Sequence, residues 1–529
     1  MSDYEVTTLA KARSSYRWLV LLNCIHPFGY GAFAVVLYEF VLIAIAENDI
    51  AFATGIWGAA NVIGKAVRII ISPIIGQVVD TLGRRKMFMI NFASAILLVV
   101  LIFFIPSPGT FFLGIILDNL LNTPDVPTMA TIADIGMVYA FHKDDKGDKK
   151  VVPEGETSNS TAASTSASAS ALSCVSVKQR MAVETTKLFG HMSACWVLAT
   201  GVMTVASAIM IDINKSAALD ELELLLNSTT SAKNNSTNNS TTDCKDEQLE
   251  LTTIDYLNPV VFMCIGFLLA GLGLTIFFIT ESKDWDKAIF KKDVTAGTNK
   301  NLGVVDSVRF ILTSPWLSCL AFGLIFVEGC QIGTISGLYF FMKYQFNSTA
   351  TEFSLVLLWA LFCTAVANTA GLKFFVKRLG LWPALYMSCF AGAIGLTVIG
   401  LAGQLGSGWC FVGISASLFN VAKPILRGKF CAEFSNDEQG KAQGCLYVAL
   451  SFGGMLGTFL ATSLLTFAIY AETGVEDIKT DCALEGERTL LSGLSFFSLS
   501  LLSLLGFAFA LFAKTKEPLE DVANRNVGY

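Results

Sequence analysis

Apolar and polar stretches alternate along this chain on a length scale that water-soluble domains do not use. Runs of roughly 20 apolar residues, the length needed to cross a bilayer core, fall near 17–46, 52–79, 87–105, 111–135, 186–211, 258–280, 310–341, 353–375, 383–403, 407–428, 443–470 and 489–513. Twelve predicted spans make this an all-α integral membrane protein. A soluble core cannot absorb so much apolar surface: 53% of the 529 residues are hydrophobic and only 15% are charged, outside the usual range of globular domains. The 40 Phe and 43 Gly suit a packed helical bundle in lipid, because small residues let helices approach closely. Residues 1–16 contain no short apolar segment with a cleavage site, so no removable signal peptide is predicted and the first span directs insertion.

An even number of spans puts both termini on one side. Lys11, Arg13, Arg17, Arg84, Arg85, Lys86, Lys373, Lys377, Arg378, Lys514 and Lys516 then share that side, whereas the opposite loops 46–51, 106–110 and 403–407 contain no Lys or Arg. Basic loops mark the cytoplasmic face, so both termini are expected in the cytoplasm. The plasma membrane and an endolysosomal or vacuolar membrane fit equally. The net charge of −6, without basic clusters, argues against a nucleic-acid partner.

Polar inserts divide the bundle. After a cytoplasmic N-terminus, 1–16, the first six-helix half covers 17–281. A central cytoplasmic loop, 282–306, leads to the second half, 307–513, and the tail is 514–529. Residues 142–178, charged and then rich in Ser, Thr and Ala, cannot bury enough apolar area to fold and read as a disordered cytoplasmic insert. Residues 212–256 fall on the exterior face and hold glycosylation sequons at Asn214, Asn227, Asn235 and Asn239, with Asn347 after span seven. Cys244 and Cys482 share that oxidising face, so a disulfide between them and two free thiols both remain open. Cys264, Cys319, Cys363 and Cys389 lie inside apolar runs and read as small core residues.

Between spans two and three stands a charged knot, Gly76-Gln-Val-Val-Asp80-Thr-Leu-Gly83-Arg84-Arg85-Lys86. Gly76 permits close helix approach, and Asp80 sits where a helix end meets water. Val79-Asp80-Thr81-Leu82-Gly83 has a faint counterpart, Val376-Lys377-Arg378-Leu379-Gly380, after span eight, as expected of paired repeats. The G-x-x-x-D-x-x-G-R-R-K spacing, flanked by two spans, resembles the signature of the major facilitator superfamily of transporters. Two further stretches resemble its proton-coupled folate transporter-like and tetracycline-exporter-like members. One is Ala130-Thr-Ile-Ala-Asp134-Ile followed by Lys178-Gln-Arg180; the other is Lys423-Pro424-x-x-Arg427 followed by Asp437-Glu438-Gln439-Gly440. The first exterior loop is too short for the folate group, and span five has no proline of the antiporter pattern. The resemblance implies twelve helices in two halves, a single working chain, and a central cavity lined by spans 1, 4, 7 and 10. It also implies that Gly76, Asp80, Gly83, Arg84 and Arg85 act in conformational switching.

An ionisable residue within a span costs roughly 2.5–3.5 kcal/mol on insertion scales and is a functional candidate by default. Span one holds Glu39, span two Lys65 and Arg68, and span four Asp118 with Asn122. Span seven holds Glu328 and Gln331, and span ten Asn420, Lys423 and Arg427. Glu39 or Glu328 in a low-dielectric cavity suits proton uptake. Lys423 and Arg427, one turn apart, suit an anionic group, which Arg can grip with two prongs. The bland reading pairs these charges with one another: Glu39 or Asp118 with Lys65 or Arg68, to hold the bundle together. Asp134 and Glu438, near cytoplasmic ends, read as partners of nearby Arg or Lys, and His26 beside Pro27 reads as a packed kink residue.

These features point to a secondary transporter of a small organic, anionic solute, working by proton-coupled symport. Proton-driven efflux of hydrophobic compounds and a non-transporting receptor of the same fold are the alternatives. No G-x-x-x-x-G-K-[ST] loop is present for nucleotide. His26, His142 and His191 form no metal-ligand pair, so neither an enzyme, a metal nor an organic cofactor is expected. The proton is the coupling ion.

Overall fold

The structure, a computed structural model, describes residues 3–47, 49–105, 107–122, 127–128, 130–132, 134–136, 138–139, 188, 190–192, 194–217, 257–279, 309, 312–416, 421–432, 439–473 and 490–515. The insert 142–178, residues 218–256 of the second insert, Asn227, Asn235, Asn239, Asn420, Cys244 and Cys482 lie outside them, as does nearly all of the tail, whereas 212–217 continue a helix.

Among the described residues nine helices are long and apolar enough to cross a membrane. They are α2 (Ile50–Leu82), α3 (Arg84–Phe104), α5 (Gly190–Ala217), α6 (Asn258–Phe278), α7 (Pro315–Phe346), α8 (Ala350–Leu379), α9 (Leu381–Leu405), α11 (Gln439–Thr473) and α12 (Leu491–Thr515). The other three predicted spans depart from a plain apolar rod. Helix α1 (Asp3–Phe40) begins well before the apolar run, because no Gly or Pro interrupts residues 3–26, and ends in a π turn at Val41–Ile45. Helix α4 (Pro108–Leu121) stops at Asn122, whose backbone has left the helical region, and helical residues resume at 127. Helix α10 is described in two pieces, Gly408–Ala416 and Ala422–Ala432. The sequence reads 111–135 as unbroken because hydropathy does not register where a helix opens.

The faint repeat has a backbone meaning. Gly83 (φ 96°) ends α2 and Gly380 (φ 87°) ends α8, conformations that side chains rarely adopt. Each donates its N–H to the valine of its own repeat, Gly83 to Val79 O and Gly380 to Val376 O, both at 3.1 Å. The same bend thus starts α3 and α9.

Helix directions follow from the pairs that touch. Gly58 and Arg68 of α2 meet Thr462 and Tyr447 of α11, so these helices are antiparallel. Helices α7 and α11 run parallel, Gly329, Gly333 and Gly337 facing Gly453, Gly457 and Ala461. Tyr38 and Glu39 of α1 meet Ile335 and Tyr339 of α7, and Phe326 and Phe341 of α7 meet Phe509 and Phe496 of α12. The start of α1 and the end of α12 therefore lie at one end of the bundle, the terminal end. Loops such as that between α1 and α2 lie at the distal end. Helices α1, α3 and α6 pack together, as do α2, α3 and α4; α7, α9, α10, α11 and α12 form a second group, and α2 packs on α11 between them. Asn347, at the distal end of α7, takes the left-handed conformation (φ 46°) that asparagine tolerates. Asn214 lies in the last turn of α5.

Candidate functional site

Where α2, α4, α7, α10 and α11 converge, charged side chains from both groups of helices meet. Glu328, in the middle of α7, is 7% exposed. Its Oε2 lies 2.6 Å from Lys423 Nζ of α10, and the same ammonium donates to Gln331 Oε1 at 3.3 Å. Glu328 and Gln331 are three residues apart and so share a helical face, which lets one lysine engage both. Lys65 of α2 lies within electrostatic reach of Glu328, Asp118 and Lys423. Its stem passes 3.2 Å from the position a Cβ would take at Gly454, so the glycine makes room for it.

One turn toward the terminal end the partners change. Arg68 donates from Nη2 to the Asn122 backbone oxygen at 3.0 Å, and its guanidinium sits 5.8 Å from the Tyr447 ring centroid. The broken end of α4 thus supplies an acceptor that a continuous helix would have used internally. Asn122 Nδ2 donates to Asp118 Oδ1 at 2.8 Å, leaving its Oδ1 to accept from His26 Nε2 at 3.1 Å. His26, beside the α1 proline, is buried and joined to Asp118 through this amide, which is more than a packing role. Arg427 lies one turn beyond Lys423 on the same face of α10. It is 8% exposed, and among the described residues it has no hydrogen-bond or ion-pair partner.

Glu39 lies elsewhere. It is buried near the distal end of α1 and accepts from Tyr339 Oη at 2.8 Å, across the interface with α7. Tyr38 stacks on Tyr339 at 4.9 Å, approaches Trp57 at 4.3 Å and donates to the Ile335 carbonyl at 3.4 Å. Asp212 of α5 accepts from both the N–H and the hydroxyl of Thr351 at the start of α8. An aromatic and carboxylate seam therefore joins the two groups of helices distally. At the terminal end Arg84 lies 3.5 Å from Asp134 of the fourth span, and Arg85 donates to the Ile276 carbonyl at the end of α6. Gly76 and Asp80 lie in the last turns of α2, and Gly83 forms the bend.

The structure thus brings together Lys65, Arg68, Asp118, Glu328, Gln331 and Lys423, with Arg427 on the adjoining turn, and sets Glu39 apart. Sequence reasoning passed over Tyr38, Tyr339 and Tyr447. Tyr339 lies eleven residues after Glu328, three full turns along one face, a spacing that could have marked it.

No family model matches the sequence, and no curated protein matches it. Solved structures do. The human organic anion transporter MFSD10 (TETRAN) superposes with a TM-score of 0.54 at 12% identity, covering 94% of this chain and 99% of that one. The nucleoside transporter NupG gives 0.54 at 11% identity, covering 94% and 98%. A bacterial homologue of the human lysosomal transporter Spinster gives 0.54 at 13%, covering 98% of both chains. The chain has the major facilitator fold. At these identities the likeness is one of architecture, and it extends over almost the whole length of both partners. In the major facilitator frame the six clustered residues come from both halves of the bundle.

Proposed function

We propose that the protein is a secondary active transporter that carries a small organic anion across the membrane together with protons, by alternating access. The observation that carries this reading is the Lys423–Glu328 pair, its acid buried and its lysine half-buried, with Gln331 as the third member. A buried ion pair is costly to assemble, and removing one partner leaves an uncompensated charge. An arriving anion competes with Glu328 for Lys423. A carboxylate displaced from its cation inside the membrane is accommodated at lowest cost by binding a proton. Anion and proton then enter together, and release of the anion returns Lys423 to Glu328 and expels the proton. The anion binds, the proton keeps the account of charge, and the fold supplies the motion; no bond is made or broken, so the reading is transport rather than catalysis.

Efflux of hydrophobic compounds would need a mostly apolar chamber, and four cations with two acids at the helix convergence favour the anionic cargo. The test is reconstitution into vesicles containing a pH-reporting dye, with succinate and glycerol phosphate as membrane-impermeant anions. Addition of a transported anion should acidify the lumen, and Glu328→Gln should abolish the acidification while anion exchange between the two faces continues. Acidification by Glu328→Gln at the wild-type rate would overturn the assignment of Glu328. Export of hydrophobic dyes without anion uptake would replace the symport reading.

A further inference from the structure

We infer that the cargo carries two negative charges and binds between Arg68 and Arg427, one helical turn toward the terminal end from the Lys423–Glu328 pair. This rests on the transport reading above and narrows it to a dianion.

Contacts across helices sort the charges into two layers. Lys65 faces Gly454, Gly453 faces Gly329, and Glu328 faces Lys423, so these residues share one level. Asp118 lies within electrostatic reach of Lys65 at that level. Two cations, Lys65 and Lys423, there meet two acids, Asp118 and Glu328, and the layer balances internally. The next turn of each helix gives Arg68 on α2, Asn122 after α4, Arg427 on α10 and, facing Arg68, Tyr447 on α11. Among the described residues neither arginine of this second layer is in an ion pair. Leu426, next to Arg427, packs at Gly323 of α7, which holds this part of α10 against α7.

Three polar groups at this level are buried without hydrogen-bond partners: Arg68 Nε, Arg427 Nε and the Tyr447 hydroxyl, Tyr447 being 4% exposed. A buried donor left unsatisfied costs on the order of 1–3 kcal/mol, and more for a charged group. Three at one level are not a stable resting arrangement for packing alone. Two guanidiniums and a phenol are met by an oxygen-rich anion, which each arginine can grip in two-pronged fashion. One carboxylate neutralises only one arginine, whereas two charges neutralise both. A dicarboxylate and a phosphate monoester share this chemistry. The cargo held in the lower layer lies one turn from Lys423, so its charge competes with Glu328 for that ammonium while the upper layer takes up the proton.

The experiment uses the purified full chain in detergent, with apparent melting temperature followed against concentration of succinate, glycerol phosphate, propionate and lactate. Both dianions, or one of them, should stabilise the wild type at concentrations about tenfold or more below those needed for the monoanions. Loss of a charge-assisted contact in Arg427→Gln, and separately in Arg68→Gln, should weaken dianion binding about tenfold or more and monoanion binding far less. Tyr447→Phe, which keeps the ring under Arg68 and removes the unsatisfied hydroxyl, should weaken dianion binding and raise the melting temperature without ligand. Stabilisation by succinate but not glycerol phosphate identifies a dicarboxylate, and the reverse a phosphate ester. Equal potency of mono- and dianions, both sensitive to Arg427→Gln, would overturn the dianion inference and leave anion transport standing. Stabilisation by none of the four would overturn both. If either glutamine variant is not monodisperse, Tyr447→Phe and Arg427→Lys decide the outcome by the same comparison.

Discussion

Glu39 gives its carboxylate to a tyrosine of the other group of helices rather than to a cation. The Tyr339 hydroxyl holds it at 2.8 Å, and Tyr38, the neighbour of Glu39, covers the contact by stacking on the same ring. Replacing Tyr339 by Phe keeps the stack and removes one donor to a buried acid. That costs on the order of 1–3 kcal/mol, borne by the distal seam when it is closed. The expected result is a shift toward the distally open arrangement. A cysteine placed at Ile335, whose carbonyl accepts from Tyr38, should then react with an impermeant maleimide about tenfold faster than in the parent chain. Unchanged labelling would mean that Glu39 and Tyr339 do not gate the distal side. Lys429 makes a quieter contact in the other group, with its ammonium 4.8 Å from the Trp382 ring and 5.5 Å from Trp316. There a cation at the terminal end of α10 lies against two aromatic faces.

At the scale of helices, most of the architecture is legible in the chain because each span declares itself by length and apolarity. Glu328, Gln331 and Lys423 stand out as polar residues in apolar runs, and the structure places them in contact. The partner of Glu39 is not legible in that way, since Tyr339 lies 300 residues away and nothing local marks the pair. The break after Leu121 is equally silent, because it is set by the backbone opening at Asn122 rather than by hydropathy. Glycine spacing could have been read further. Gly329, Gly333 and Gly337 on α7 oppose Gly453, Gly457 and Ala461 on α11 at four-residue intervals, a small-residue stripe that brings two backbones together. A Cβ at Gly457 would fall 1.9 Å from the Gly329 carbonyl oxygen. Since backbone cannot yield there, Gly457→Ala should push the helices apart. It should lower the melting temperature of the purified protein by several degrees, an effect of the size an overpacked core produces, about 1–3 kcal/mol. Gly55, whose added Cβ meets nothing within 4 Å, is the control; equal melting temperatures for Gly457→Ala and Gly55→Ala would show that the close crossing does not matter.

Over the whole molecule, the proposed alternating access would have the halves separate at one end while they close at the other. The distal seam is held by Glu39 with Tyr339 and by Asp212 with Thr351. At the terminal end Ile75 and Val79 of α2 pack with Tyr447 of α11, in one cluster with Met87 and Ala130. The two helices assigned to the proposed cargo site, α2 through Arg68 and α11 through Tyr447, therefore also make the terminal contact between the halves. Arg84 and Asp134 tie α3 to the fourth span just beyond it, 3.5 Å apart and both partly shielded from solvent. This pair lies several turns from Lys423 and Arg427, so its loss should leave binding intact and change only the balance between arrangements. A partly exposed pair of this kind contributes about 0.2–1 kcal/mol, enough to alter a turnover rate severalfold when the rocking step limits it. Asp134→Asn is accordingly expected to keep the ligand-induced rise in melting temperature seen with the wild type while lowering the rate of proton-coupled uptake two- to fivefold, or about 0.4–1 kcal/mol in the barrier. If Asp134→Asn instead weakened the thermal response to ligand and left the maximal uptake rate alone, Arg84 and Asp134 would belong to the cargo site, and the division of labour between a central charge cluster and a terminal switch would be wrong.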